Sequence, residues 1–80
     1  MTASEAYVFF KRKHPDLVVK ECCLYDSKYY IFTALKQGEN VDYNDPFYAV
    51  NARNGVVSYF CPTDDIDKWN AARRRQLNWR

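Results

Sequence analysis

The side chains with chemistry to offer are one histidine, three cysteines, an acidic cluster and an arginine run. None has the company its chemistry needs. A general base requires a positioned partner, and a zinc site requires about four nitrogen, sulfur or oxygen ligands at recurring spacings. His14 stands alone before Pro15, where a solvated role at a helix end is expected. Cys22 and Cys23 are neighbours, so a strand would send them to opposite faces, and Cys61 is remote from both. They read as core or edge thiols. Their odd number and spacing give no disulfide framework, which fits a reducing, cytoplasmic setting. Asp64, Asp65 and Asp67 lack the alternating ligands, central glycine and terminal glutamate of a calcium loop. At a helix N-terminus such carboxylates are favoured by about 0.3–1 kcal/mol each. No nucleophile, base and oxyanion donor can be assembled from this inventory, so a non-enzymatic protein without metal or cofactor is expected.

Two sets remain that could bind something. Tyr25, Tyr29, Tyr30, Tyr43, Tyr48 and Tyr59 are more phenol surface than one small core can hide, and tyrosine is favoured at interfaces for its large area and polar tip. From these and the C-terminal segment, Tyr29, Tyr30, Tyr43, Tyr48 and Trp79 are the expected protein-binding residues, serving another protein or self-association. The alternative set is basic: Lys11, Arg12 and Lys13, with Arg73, Arg74 and Arg75, where Arg80 and Trp79 add a cation and a stacking ring. Such a set could hold single-stranded nucleic acid. Against it stand a net charge of only +2 and the lack of an RNA-recognition aromatic motif or a glycine-rich phosphate cradle. No apolar run approaches the ~20 residues of a membrane span, and the N-terminus lacks the basic and apolar regions of a signal peptide.

These residues are positioned by elements the sequence marks clearly. Eighty residues make one domain, which buries only roughly 60% of its unfolded surface. Aromatic residues make up 18% of the chain and supply the bulk such a core needs. Thr2 and Glu5 form a capping box, Ala3, Ala6, Tyr7 and Phe10 follow helical spacing, and Pro15 stops the helix, predicting it over residues 3–13. Strands are predicted over 17–25 and 28–36, joined at Asp26-Ser27, with 37–45 a polar loop. Both faces of the second strand carry aromatics, which marks it as central or as facing a partner. Asn54-Gly55, between two alternating apolar runs, predicts a hairpin of strands 47–52 and 56–61. A two- or four-residue loop puts Tyr48, Val50, Ala52, Val57, Tyr59 and Cys61 on one face and Phe47, Ala49, Asn51, Ser58 and Phe60 on the other; a three-residue loop with a bulge breaks that grouping. Thr63 or Asp64 is expected to cap a second helix with Ile66 and Trp69 on its inner face, and residues 76–80 read as a flexible tail. The predicted order is helix, four-stranded antiparallel meander, helix, with both helices on one sheet face in a two-layer α+β domain.

The stretch Pro46 to Asn51, then Gly55 to Phe60, then Pro62 and Asp64-Asp65 resembles small uncharacterised phage and prophage proteins of Gram-positive bacteria. Those also open with a short helix ending in a lysine- and proline-rich turn, as Lys11 to Pro15 does. A similar strand-turn-strand occurs in bacterial immunity proteins that neutralise toxins. The resemblance implies a phage or mobile-element accessory or inhibitor protein of the host cytoplasm, acting by occlusion or assembly. It brings no catalytic residues.

Overall fold

A computed structural model describes residues 1–37, 47–62 and 65–80 of the chain. The element order is helix α1 (Ala3–Lys13), strands β1 (Leu17–Tyr25), β2 (Tyr29–Lys36), β3 (Phe47–Asn51) and β4 (Val57–Tyr59), and helix α2 (Ile66–Arg73). The strands form one antiparallel sheet in the order β1-β2-β3-β4, as the sequence predicts for an α+β meander. Among the described residues no helix is long and apolar enough to cross a membrane.

Local signals set the element ends. The Thr2 hydroxyl accepts from the Glu5 N–H at 3.2 Å while the Glu5 carboxylate accepts from the Thr2 N–H at 3.0 Å, closing the capping box. The helix stops at His14, whose N–H donates to the Phe10 carbonyl. Asp26 and Ser27 both take left-handed conformations, with φ of 56° and 53°, and Lys28 donates back to Tyr25 to close the β1–β2 turn. In the second hairpin Asn51 N–H donates to Val56, so Ala52 to Gly55 form a four-residue loop. Tyr48 then pairs with Tyr59 and Val50 with Val57, which places side chains in the grouping expected for a loop of even length.

The layering differs from the two-layer expectation. Phe10, Ala3 and Ala6 of α1 share a buried cluster with Tyr30, Phe32, Ala34 and Val50. Trp69 of α2 is buried in a separate cluster with Cys23, Ile31, Phe47 and Ala49. Residues 30, 32, 34 and 50 project from one side of the sheet and 31, 47 and 49 from the other, so the helices cover opposite faces and the domain has three layers. The cause lies in β2, where every residue from Tyr30 to Leu35 is buried. A strand apolar on both sides needs cover on both.

β1 contributes to both faces through an irregularity. Its register with β2 shifts between Val19 and Glu21, so Lys20 is an extra residue that inverts the alternation. Leu17 and Val19 face α1, then Cys22 does, while Glu21, Cys23 and Tyr25 turn toward α2. At α2, the Asp65 carboxylate caps the helix by accepting from the Lys68 N–H at 3.0 Å, in place of Thr63 or Asp64, which lie outside the described residues. Ile66 is exposed, so only Trp69 and Ala72 serve the inner face.

Residues 76–80 leave α2 and cross the edge of β1 to the α1 side. Leu77 N–H donates to the Cys22 carbonyl at 2.8 Å, and Cys22 N–H donates to the Gln76 side-chain oxygen at 3.3 Å. Both edge-facing groups of Cys22 are thereby satisfied, while Leu77 and Trp79 pack against the α1 cluster.

One glycine tests this arrangement. Gly55 has φ +74°, and a Cβ built there would lie 2.9 Å from the Phe9 ring of α1. We expect Gly55→Ala to lower the urea-unfolding free energy by about 1–2 kcal/mol through the left-handed backbone alone, and by more through the ring contact. The extra part should disappear in a Phe9→Ala background. An equal loss in both backgrounds would mean that Phe9 does not lie over the hairpin.

Candidate partner-binding surface

Where α1 runs beside β4, a chain of rings leads from the core to the solvent. Phe10 stacks on Phe32 with centroids 5.3 Å apart, and both are fully buried. Phe10 also meets the edge of Tyr48 at 5.4 Å and the His14 ring at 5.3 Å. His14 and Tyr48 are 4.8 Å apart, and Tyr48 reaches Tyr59 at 5.4 Å across the β3–β4 pair. Tyr59 ends the series at 81% exposed. An aromatic that open in a chain this short is available area on a backed, positioned support.

The alternation explains the placement. Tyr48 and Tyr59 lie opposite each other on the α1 face, but α1 ends at Lys13 and covers Tyr48 only in part. His14, Pro15, Leu17, Lys13, Lys36 and the two tyrosines surround a shallow groove of about 270 Å³, with Asp16 at its rim. Further along the same seam Phe9 lies over Gly55, beside Val56, which is 59% exposed. The Arg12 guanidinium sits 5.8 Å above the Phe9 ring. The seam is thus apolar at its centre and cationic at its margin.

His14 is packed between Phe10 and Tyr48 instead of solvated as the sequence suggested. Burial, and then the nearby Lys13 charge, hold its pKa below the ordinary histidine value. The two β1 thiols are held from reaction: burial, reinforced by the other cysteine, pushes Cys22 up to about 12, and burial, with Glu21 adding to it, pushes Cys23 up to about 11. Both remain protonated near neutral pH. Cys61 is exposed.

The expected binding residues scatter. Tyr30 is buried beneath α1, and its hydroxyl donates to the Met1 carbonyl at 2.5 Å, so it serves the core and presents no surface. Tyr29 is half-buried on the α2 face beside the Trp69 cluster. Trp79 is half-buried on the α1 face with Arg80 5.4 Å above its ring. Tyr43 lies outside the described residues. Among the described residues of the set, only Tyr48 joins the seam. Sequence reasoning passed over Tyr59 and His14, although the four-residue loop already pairs 48 with 59 and makes β4 the last strand.

The basic residues do not converge either. Lys11 spends its ammonium on the Leu17 and Pro15 carbonyls, at 2.6 and 3.1 Å. Arg73 pairs with Glu21 at 3.4 Å and lies over Phe47 and Trp69 on the α2 face. Arg74 and Arg75 are exposed beside Leu24. Arg12 and Lys13 are across the sheet from Arg73, at the seam. Compared with known proteins, the chain matches no family model, no curated protein and no solved structure.

The histidine gives this surface a pH signature. Because the folded pKa is depressed, the unfolded chain takes up the proton first as pH falls, so the stability tied to neutral His14 is complete above about pH 6.5 and is lost as pH drops through the folded value. Glu5 and Asp26, whose pKa values are also lowered, release theirs in the more acidic carboxylate range. Unfolding free energy should therefore decline as pH is lowered from about 7.5 to about 5.5, and His14→Gln should flatten that slope. A slope unchanged by the substitution would show that the ring is not desolvated against Tyr48.

Proposed function

We propose that the chain is a small protein-binding module that engages a macromolecular partner through the α1–β4 seam, by occlusion or assembly. The observation that carries this reading is Tyr59: 81% exposed, yet held against Tyr48 and through it to the core. An anchored tyrosine gives a partner large contact area with little side-chain entropy to lose. The strand beneath it supports the same reading. Asn51 with Val56, and Phe47 with Phe60, are bonded across the hairpin, so the backbone groups of Val57 and Tyr59 between them turn away from β3 at the sheet edge. A partner segment could pair there while Tyr59 and the groove receive its side chains.

The margin of the seam favours a partner with an acidic matching surface, since Arg12, Lys13 and Lys36 outnumber Asp16 there. Such charges act mainly on the rate of encounter. A phage or mobile-element origin, with a host or phage protein as target, belongs to the same proposal, and a toxin would be one such target.

Affinity capture from Gram-positive cell extract tests it, with Lys20→Ala at the far edge of the sheet as a control variant. We expect a protein retained by the wild-type chain and by the control, and released by Tyr59→Ala with a loss of about 2 kcal/mol or more. Tyr59→Ala should keep the wild-type unfolding midpoint. Equal capture by Tyr59→Ala would overturn the reading, and tight, steeply salt-dependent binding of single-stranded DNA or RNA in place of a protein would favour the basic set instead.

A further inference from the structure

At the other end of β3 from Tyr48, the β1–β2 turn meets the β3–β4 loop. Ala52 N–H donates to the Lys28 carbonyl at 2.9 Å, tying the two connections together. Between them lies a pocket of about 420 Å³ lined by Ser27, Lys28, Tyr29, Asn51, Ala52 and Arg53. The volume is in the range of small-molecule sites and exceeds that of a bare anion.

The lining is one-sided in its chemistry. It holds two cations, a hydroxyl, a phenol and a carboxamide, and no carboxylate. Among the described residues neither the Lys28 ammonium nor the Arg53 guanidinium makes a hydrogen bond or ion pair. The Asn51 side-chain oxygen accepts from the Arg53 N–H at 2.8 Å, which orients the amide and leaves its NH₂ group without a hydrogen bond among the described residues. Asp26, next to Ser27 and within electrostatic reach of Lys28, is engaged by Lys68 at 2.7 Å. Two cations thus line one pocket, on two turns fastened to each other, with neutral donors in the same lining, and the carboxylate that Lys28 also acts on, Asp26, is bridged to Lys68.

We propose that this pocket binds a small phosphate monoester, its oxyanion between Lys28 and Arg53 and its organic part against Tyr29 and Ala52. Arginine suits the oxygens of phosphate through its planar fork, and the ammonium adds a point charge. The Ser27 hydroxyl and the Asn51 amide can donate to the remaining oxygens. A dianion with three terminal oxygens matches this number of donors better than a carboxylate does. The site is separate from the seam and does not depend on the protein-binding reading.

Amide-detected NMR titrations at constant ionic strength test it, using ribose 5-phosphate, inorganic phosphate and acetate as probes. Ribose 5-phosphate should give saturable shifts centred on Ser27, Lys28 and Arg53, bind more tightly than inorganic phosphate, and leave acetate without a saturable response. The double variant Lys28→Gln/Arg53→Gln, with a dispersed native spectrum, should raise the Kd by about tenfold or more. Arg74→Gln/Arg75→Gln removes the same charge on the α2 side and should change the Kd by no more than about twofold. Shifts that fail to saturate, equal binding of acetate, or equal losses in the two double variants would overturn the proposal.

Discussion

Strand β2 must be kept from water on both sides, and most of the structure answers that requirement. Phe32 is fully buried under α1 and Ile31 nearly so under α2, and each buried ring or branched chain of this kind is worth about 1.5–3 kcal/mol relative to exposure. A chain of 80 residues has little else to draw on. One helix therefore cannot serve, and two helices on one face would leave Ile31, Phe47 and Ala49 wet. The terminal helices separate to opposite faces, the bulge at Lys20 lets β1 feed both cores, and the last residues fold over the β1 edge to add Leu77 and Trp79 to the α1 side. The charged groups follow this frame: Arg73 lies along the rings of the α2 core, and Lys68 spans Tyr25 to reach Asp26.

The same economy decides what remains outside. α1 is too short to reach past Tyr48, so the ring stack emerges at Tyr59, where the short strand β4 also ends the sheet. The other edge is different, because Gln76 and Leu77 occupy the outward groups of Cys22. Among the described residues the β1 edge is guarded and the outer edge of β4 carries no paired segment, with exposed Tyr59 on that side, an asymmetry that sheets otherwise suppress. The polar pocket at the turn end arises from unrelated constraints, two tight connections whose lysine and arginine form no ion pair among the described residues, Asp26 being bridged to Lys68.

Much of this was legible in the residues. Thr2 and Glu5 place the first helix to the residue, and Asn54-Gly55 with its flanking alternation sets the faces of Tyr48, Val50, Val57 and Tyr59, because a period of two leaves little freedom once the loop is even. The layer assignment was not legible. Alternation says that 31 and 32 point oppositely but not which helix covers which side. The bulge at Lys20 was hidden because lysine in a strand carries no mark of an inserted residue, and without it Cys22 falls on the wrong face. Ile66 and Trp69 share helical spacing, yet only Trp69 is deep enough in the helix to reach the sheet. Tyr30 illustrates the limit for the site: composition says that some tyrosines must be exposed, but burial of one ring and not another depends on where a helix ends.

The central claim is that double-sided cover of β2 holds the whole domain together. Native-state hydrogen exchange measured residue by residue across a denaturant series tests it most directly. The amides of Ile31, Phe32 and Thr33 should exchange only through global unfolding, with opening free energies that match the unfolding free energy and fall with the full denaturant slope. Amides of β2 that exchange through smaller, denaturant-insensitive openings, while those of either helix remain protected, would contradict it.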